Sequence, residues 1–311
     1  MFRRYKITVI GAGATGATTA HLLALKEMGD VVLIDIVEGV PQGRGLDMFE
    51  SGPIEEFSNT VLGTNDYAAT AGSDVIVVTA GMPRKPGMSR NDLLKINADI
   101  VHNVVQQATK VSPDAVIVVL TNPADVMAYV AQKASGFGYE RVIGQAGVLD
   151  SARFRTFLAE ALAVSPRDVS AFVMGGHGDD MVPLVRYSYA GGIPVEKLLP
   201  QETLEAIVQR TRTGGGEILS LEKASAYYAP ASSLAAMVKA VLFDERRILP
   251  VIAYLRGEYG QEDIYVGVPA VVGGNGIERV LEVEFSPEEA AAFKRSVQSV
   301  REPLSLLGLD Q

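Results

Sequence analysis

Three histidines occur in the 311-residue chain, and one of them, His177, is set among glycines in Gly175-Gly176-His177-Gly178-Asp179. Imidazole titrates near neutrality, so it can act as acid and base within one cycle. The other two, His21 and His102, fall in helix-like stretches, where packing or exposure accounts for them. A histidine that moves protons needs a carboxylate to fix its tautomer and support its charged form. Asp150 is the candidate, in Val148-Leu149-Asp150-Ser151-Ala152-Arg153. Arg153 follows it by three positions, so both side chains can project from the first turn of one helix. Asp is also a favoured N-cap residue, which is the plainer explanation for Asp150.

A second constellation lies near the start. Gly11-Ala12-Gly13-Ala14-Thr15-Gly16 follows a strand-like run and opens a helix-like one. Glycines there allow a tight turn, close approach of the backbone to a pyrophosphate, and close helix–strand packing. The helix N-terminus adds unpaired N–H groups and the positive end of its dipole. Asp35 ends the next strand-like run, where a carboxylate accepts hydrogen bonds from an adenosine ribose and repels a 2′-phosphate. Together these residues point to a dinucleotide, NAD in preference to NADP. A third feature is the segment from Ala80 to Arg90. It carries Arg84, Lys85 and Arg90 and no acid, and its two prolines and two glycines suit a hinged lid.

The elements that must hold these groups alternate in the first half. Runs rich in Val, Ile and Leu at 6–10, 31–36, 74–79 and 115–120 are apolar on both faces, as buried parallel strands are. Helical patterns fill the gaps at 14–28, 92–111 and 124–135. The rhythm predicts an α/β fold, a Rossmann-type doubly wound parallel sheet, in which the lid segment lies at the carboxyl end of a strand. After Gly147 the pattern changes to a helix at 151–163, shorter strands at 169–174, 264–272 and 277–283, and helices at 201–213, 230–243 and 287–306. Residues 1–147 are therefore expected to form a dinucleotide-binding domain and 148–311 an α+β substrate domain packed tightly against it. Gly214-Gly215-Gly216 is expected to break a helix.

Composition narrows the classes. A net charge of −9 argues against a nucleic-acid partner, which would need a basic surface. The absence of cysteine removes thiol nucleophiles and cysteine zinc sites, and no metal site is expected. No run approaches the roughly 18 apolar residues of a membrane span. Arg3, Arg4 and Lys6 before a small-residue stretch imitate a leader, but Gly11, Gly13 and Gly16 interrupt it, so a cytoplasmic start is expected.

The glycine loop, Asp35, the arginine loop, Thr121-Asn122-Pro123, Asp150-Ser151-Ala152-Arg153 and Gly176-His177-Gly178 occur in the order of the lactate/malate dehydrogenase family. The chain resembles that family from about Ile7 to its C-terminal helix. Arg84-Lys85-Pro86-Gly87-Met88-Ser89-Arg90 resembles the lactate-dehydrogenase-like malate branch in particular. The resemblance implies reversible hydride transfer between (S)-malate and NAD+, giving oxaloacetate and NADH. It implies that His177 exchanges the hydroxyl proton and Asp150 supports it. Arg153 would grip the carboxylate beside the reacting carbon, and Arg90 would polarise the carbonyl. Asn122 would bond substrate near the nicotinamide. Gly11, Ala12, Gly13, Ala14, Thr15, Gly16, Asp35, Leu120 and Thr121 would line the cofactor site, and Asn97 would be a further cofactor contact. Arg84 would meet the second carboxylate of a dicarboxylate substrate, whereas lactate-specific members carry glutamine there. A homo-oligomer is implied, a tetramer in preference to a dimer.

Two positions depart from the family pattern: Asp180 replaces an expected threonine, and Ala226 stands where lactate enzymes place one. Three rival readings are an L-lactate dehydrogenase, a non-catalytic NAD-binding sensor, and a short-chain dehydrogenase suggested by Tyr129 and Lys133. For the last, the serine expected about a dozen positions earlier is missing around Val116.

Overall fold

The computed structural model describes residues 4–83 and 89–309, with Arg90 described by its backbone alone. In chain order the elements are β1 (Lys6–Ile10), α1 (Ala14–Leu25), β2 (Asp30–Ile34), α2 (Val40–Glu55), β3 (Val61–Thr64), β4 (Val75–Val78), α3 (Arg90–Val111), β5 (Val116–Val119), α4 (Ala124–Ser135) and β6 (Val142–Gly144). There follow α5 (Gly147–Leu162), β7 (Val169–Met174), β8 (Val182–Ala190), β9 (Ile193–Pro194), α6 (Gln201–Glu222), α7 (Tyr228–Leu242), β10 (Arg247–Arg256), β11 (Glu262–Gly273), β12 (Gly276–Val280) and α8 (Pro287–Leu306).

Among the described residues the main sheet has the order β12-β11-β10-β6-β5-β4-β1-β2-β3. Its six strands from β6 to β3 run parallel, and the order reverses between β1 and β4. That reversal opens a crevice at the carboxyl ends of the two strands, the place where such sheets bind ligands. Strands β4 and β5, both Val-Ile-Val-Val, are buried along their whole length, which is why they read as continuous apolar runs. The fold class agrees with the sequence reading, with one refinement. Strands β10, β11 and β12 join the main sheet antiparallel, and only β7, β8 and β9 form a sheet of their own.

The expected helix break at Gly214 is wrong. Helix α6 runs through all three glycines to Glu222. Helix α2 was not expected at all, because Gly43, Gly45, Gly52 and Pro53 depress its propensity. It forms because it packs tightly on β3: a Cβ at Gly45 would stand 2.5 Å from the backbone N of Gly63.

Candidate active site

The glycine loop takes the shape the sequence called for. Gly11 has φ of +102°, and a Cβ there would stand 2.7 Å from the backbone N of Ala80, so only glycine fits. A Cβ on Gly16 would collide with the Gly11 carbonyl, so α1 can lie directly on the turn. Gly13 is the N-cap of α1, with no side-chain cap and nothing within 4 Å of where its Cβ would be. Its open face leaves the first N–H groups of α1 accessible, and a dinucleotide diphosphate fits there. Asp35 follows β2, its Oδ2 accepting from the Ala12 N–H at 2.7 Å and its Oδ1 from the Val37 N–H at 3.0 Å. Those bonds tie the carboxylate to the loop, and each oxygen keeps a lone pair for a ribose hydroxyl. Arg44 on α2 donates to the Ala12 carbonyl, which adds a cation to the loop that the sequence reading missed.

Behind the loop, Thr121 and Asn97 hold the neighbouring strand ends together. The buried Thr121 hydroxyl donates to the Ala80 carbonyl at 2.7 Å. The buried Asn97 amide accepts from the Met82 N–H at 2.8 Å and donates to the Asn122 carbonyl at 2.9 Å. Leu120 is half-buried and the Asn122 side chain is exposed beside them. Arg84 lies outside the described residues, and Arg90 starts α3 just after its N-cap Ser89.

His177, Asp150 and Arg153 come together in one cluster. Asp150, 2% exposed in the first turn of α5, uses one oxygen for each partner. Oδ2 accepts from His177 Nδ1–H at 2.8 Å, and Oδ1 accepts from Arg153 Nη1 at 3.2 Å. Nδ1 is thereby fixed as the donor, which leaves Nε2 as the atom for a substrate proton. Asp150 is the main cause of the raised His177 pKa, against the opposing effects of burial and of the Arg153 charge.

Contacts across long stretches of chain hold the histidine loop. Gly175 has φ of +84° and bridges to Gly267 of β11. The Gly176 N–H donates to the buried Ser296 hydroxyl of α8 at 2.8 Å. The His177 N–H donates to Asp125 Oδ2 of α4 at 3.0 Å. Asp125 is 4% exposed, and its Oδ1 has no hydrogen-bond partner among the described residues. Burial pushes its pKa up to about 6, only partly offset by the His177 bond and charge. Asp125, after Asp150, is the second acid that favours the imidazolium, whereas the unexpected Asp180 is exposed. Asp125 was missed because an acid in the first turn of a helix is ordinary and nothing local marks its partner.

Tyr129 and Lys133 carry no chemistry of the short-chain kind. The Tyr129 hydroxyl donates to Asp263 at 2.8 Å, its ring is buried against Tyr265, and the Lys133 ammonium lies over that ring.

The glycine loop at the strand reversal, with the His177–Asp150–Arg153 cluster, fits the class of nicotinamide-nucleotide oxidoreductases. Family models agree: the lactate/malate dehydrogenase NAD-binding domain matches residues 5–144, and the family's α/β C-terminal domain matches residues 147–306. The chain belongs to the lactate/malate dehydrogenase family, and its first domain is the NAD-binding one. A malate dehydrogenase of a Geobacillus species is 60% identical over 308 residues, 98% of this chain and 99% of that protein. Among solved structures, the malate dehydrogenase of Salinibacter ruber superposes with a TM-score of 0.94 at 50% identity, covering 97% of each chain. A lactate dehydrogenase of Cryptosporidium parvum, complexed with lactic acid and NAD, gives 0.95 at 41% identity over 99% of each chain. Among the described residues, no helix is long and apolar enough to cross a membrane.

Proposed function

We propose that the chain is an NAD-dependent malate dehydrogenase that interconverts (S)-malate and oxaloacetate. The observation that carries the reading is the single buried carboxylate of Asp150, which holds a proton-transfer histidine with one oxygen and a carboxylate-gripping arginine with the other. Bound NAD+ supplies the acceptor for the hydride that leaves C2 of malate. The remaining work falls to side chains. His177 takes the hydroxyl proton on Nε2 as the C2–H bond breaks, and Asp150 stabilises the imidazolium that results. In the reverse direction the same proton returns to the carbonyl oxygen of oxaloacetate. Arg153 binds the carboxylate beside C2, Arg90 offsets charge on the reacting oxygen, and Asn122 orients substrate. Gly11 to Gly16, Asp35, Leu120, Thr121 and Asn97 shape the cofactor side.

Arg84 selects the dicarboxylate, because a buried second carboxylate requires a cation and a methyl group does not. Fold alone does not distinguish malate from lactate enzymes, since structures of both superpose on this chain closely. The identity of residue 84 does. The same reading has the protein working in the cytoplasm as a homo-oligomer, a tetramer in preference to a dimer. The exposed apolar side chains Leu46, Phe49 and Ile54 of α2 support an assembling surface.

Initial rates of NADH oxidation with oxaloacetate and with pyruvate test the proposal. The expected result is a strong preference for oxaloacetate, shifted toward pyruvate in Arg84→Gln. A preference for pyruvate would make this a lactate dehydrogenase, and NADH binding without turnover of either would make it a sensor.

A further inference from the structure

Helix α6 carries Gly214-Gly215-Gly216 in its interior, although glycine is among the poorest helix formers. None of the three has a positive φ, so the backbone does not require glycine there. Their surroundings differ. A Cβ on Gly214 would stand 3.3 Å from Arg153 Cδ and 3.7 Å from its Nε. One on Gly215 would stand 3.6 Å from Nη2 and 3.8 Å from Nη1. One on Gly216 would meet nothing within 4 Å. Burial follows the same gradient, with Gly214 buried, Gly215 half-buried and Gly216 exposed.

The side chain of Arg153 thus lies against bare helix backbone while Asp150 Oδ1 holds its Nη1. We propose that Gly214 and Gly215 are positioning residues for substrate binding, whose missing Cβ atoms give the Arg153 guanidinium the width to lie flat on α6 and present its free N–H groups to a substrate carboxylate. The inference rests on the role given to Arg153 above. A methyl at 214 presses on the arginine stem, and one at 215 narrows the space around the guanidinium. The first moves the fork from the position that a two-pronged bond to a carboxylate needs, and the second, at ordinary contact distance, limits how far the fork can shift in response.

The test compares Gly214→Ala, Gly215→Ala and Gly216→Ala in the full-length enzyme. Alanine favours the helix backbone at all three positions, and Gly215→Ala and Gly216→Ala, whose Cβ atoms meet ordinary contacts or open space, are expected to melt at or above the wild-type temperature. Gly214→Ala should raise KM for oxaloacetate roughly ten-fold or more, Gly215→Ala less, with NADH affinity unchanged in both. Gly216→Ala should leave the kinetics as they are. Gly214→Ala and Gly215→Ala variants with the KM of Gly216→Ala would overturn the proposal. If Gly214→Ala fails to fold, the contrast between 215 and 216 still decides. Arg153→Lys separates the two layers of argument: an unchanged KM there removes the role of Arg153 itself. A large rise in KM there, with no effect at 214 or 215, removes only the role of the glycines.

Discussion

Replacing Asp125 with Asn should stabilise the folded protein at neutral pH while weakening the hold of His177 on its proton. Burial raises the Asp125 pKa from its ordinary 3.8 to about 6, so folding favours the protonated acid. The sign follows from that. The acid's contribution to stability is fully present below the unfolded value and is lost as pH rises through about 6. The shift of about two units corresponds to a penalty of about 3 kcal/mol at pH 7.5. At pH 4.5 the carboxyl is ionised mostly in the unfolded chain, and the penalty there is about 1 kcal/mol. Asparagine has the same shape, can accept the same bond from the His177 N–H, and does not titrate. Its stability relative to wild type should therefore grow by about 2 kcal/mol between pH 4.5 and 7.5, however well the amide itself fits. Denaturant midpoints at the two pH values measure this, and a difference that does not change with pH refutes the reasoning. Catalysis supplies a second readout. In the proposed mechanism oxaloacetate reduction uses the imidazolium, so its rate should decline as pH rises through the His177 pKa. Loss of the Asp125 charge should move that decline to lower pH.

Asp150→Asn should lower turnover in both directions by roughly 10^4, about the effect of amidating the corresponding carboxylate in serine-protease triads, with NADH still bound. Because Asp150 also holds Arg153, KM for oxaloacetate should rise in the same variant; activity within ten-fold of wild type would rule out the dyad. Asp35→Ser removes the charge that repels a 2′-phosphate and should improve NADPH relative to NADH by about ten-fold. An unchanged ratio of kcat/KM values for the two cofactors would mean that another group sets the preference.

Much of this could be read from sequence because its signals are local. The apolar runs of β1, β4 and β5 announce a parallel sheet, and Asp150 and Arg153 share one helical turn. The glycine loop needs only its own neighbours, as the positive φ of Gly11 shows. What escaped depends on partners far along the chain. Asp125 meets His177 across 52 positions and Ser296 meets Gly176 across 120, so neither announces its role. Strand β10 was missed because Pro250 reads against a strand, yet in the fold Pro250 sits opposite Pro269 in the ladder with β11. The glycines of α6 read as a helix breaker because propensity carries no knowledge of the arginine lying on them.

The three anchors of the histidine loop make catalysis a reporter of long-range integrity. Helix α4, helix α8 and strand β11 each hold one residue of Gly175-Gly176-His177, by Asp125, Ser296 and Gly267. Helix α8 buries only Phe293, Ser296, Val297, Val300 and Leu304 of its 20 residues, and elements with few buried apolar contacts open at lower free energy than a central sheet. If α8 lifts away on warming, Gly176 loses its acceptor and His177 its alignment with Asp150, although the sheet and the NAD-binding domain persist. Heat inactivation of this enzyme should then precede the loss of its secondary structure and be reversed on cooling, so that an activity half-life measures the docking of one helix and not the survival of the fold.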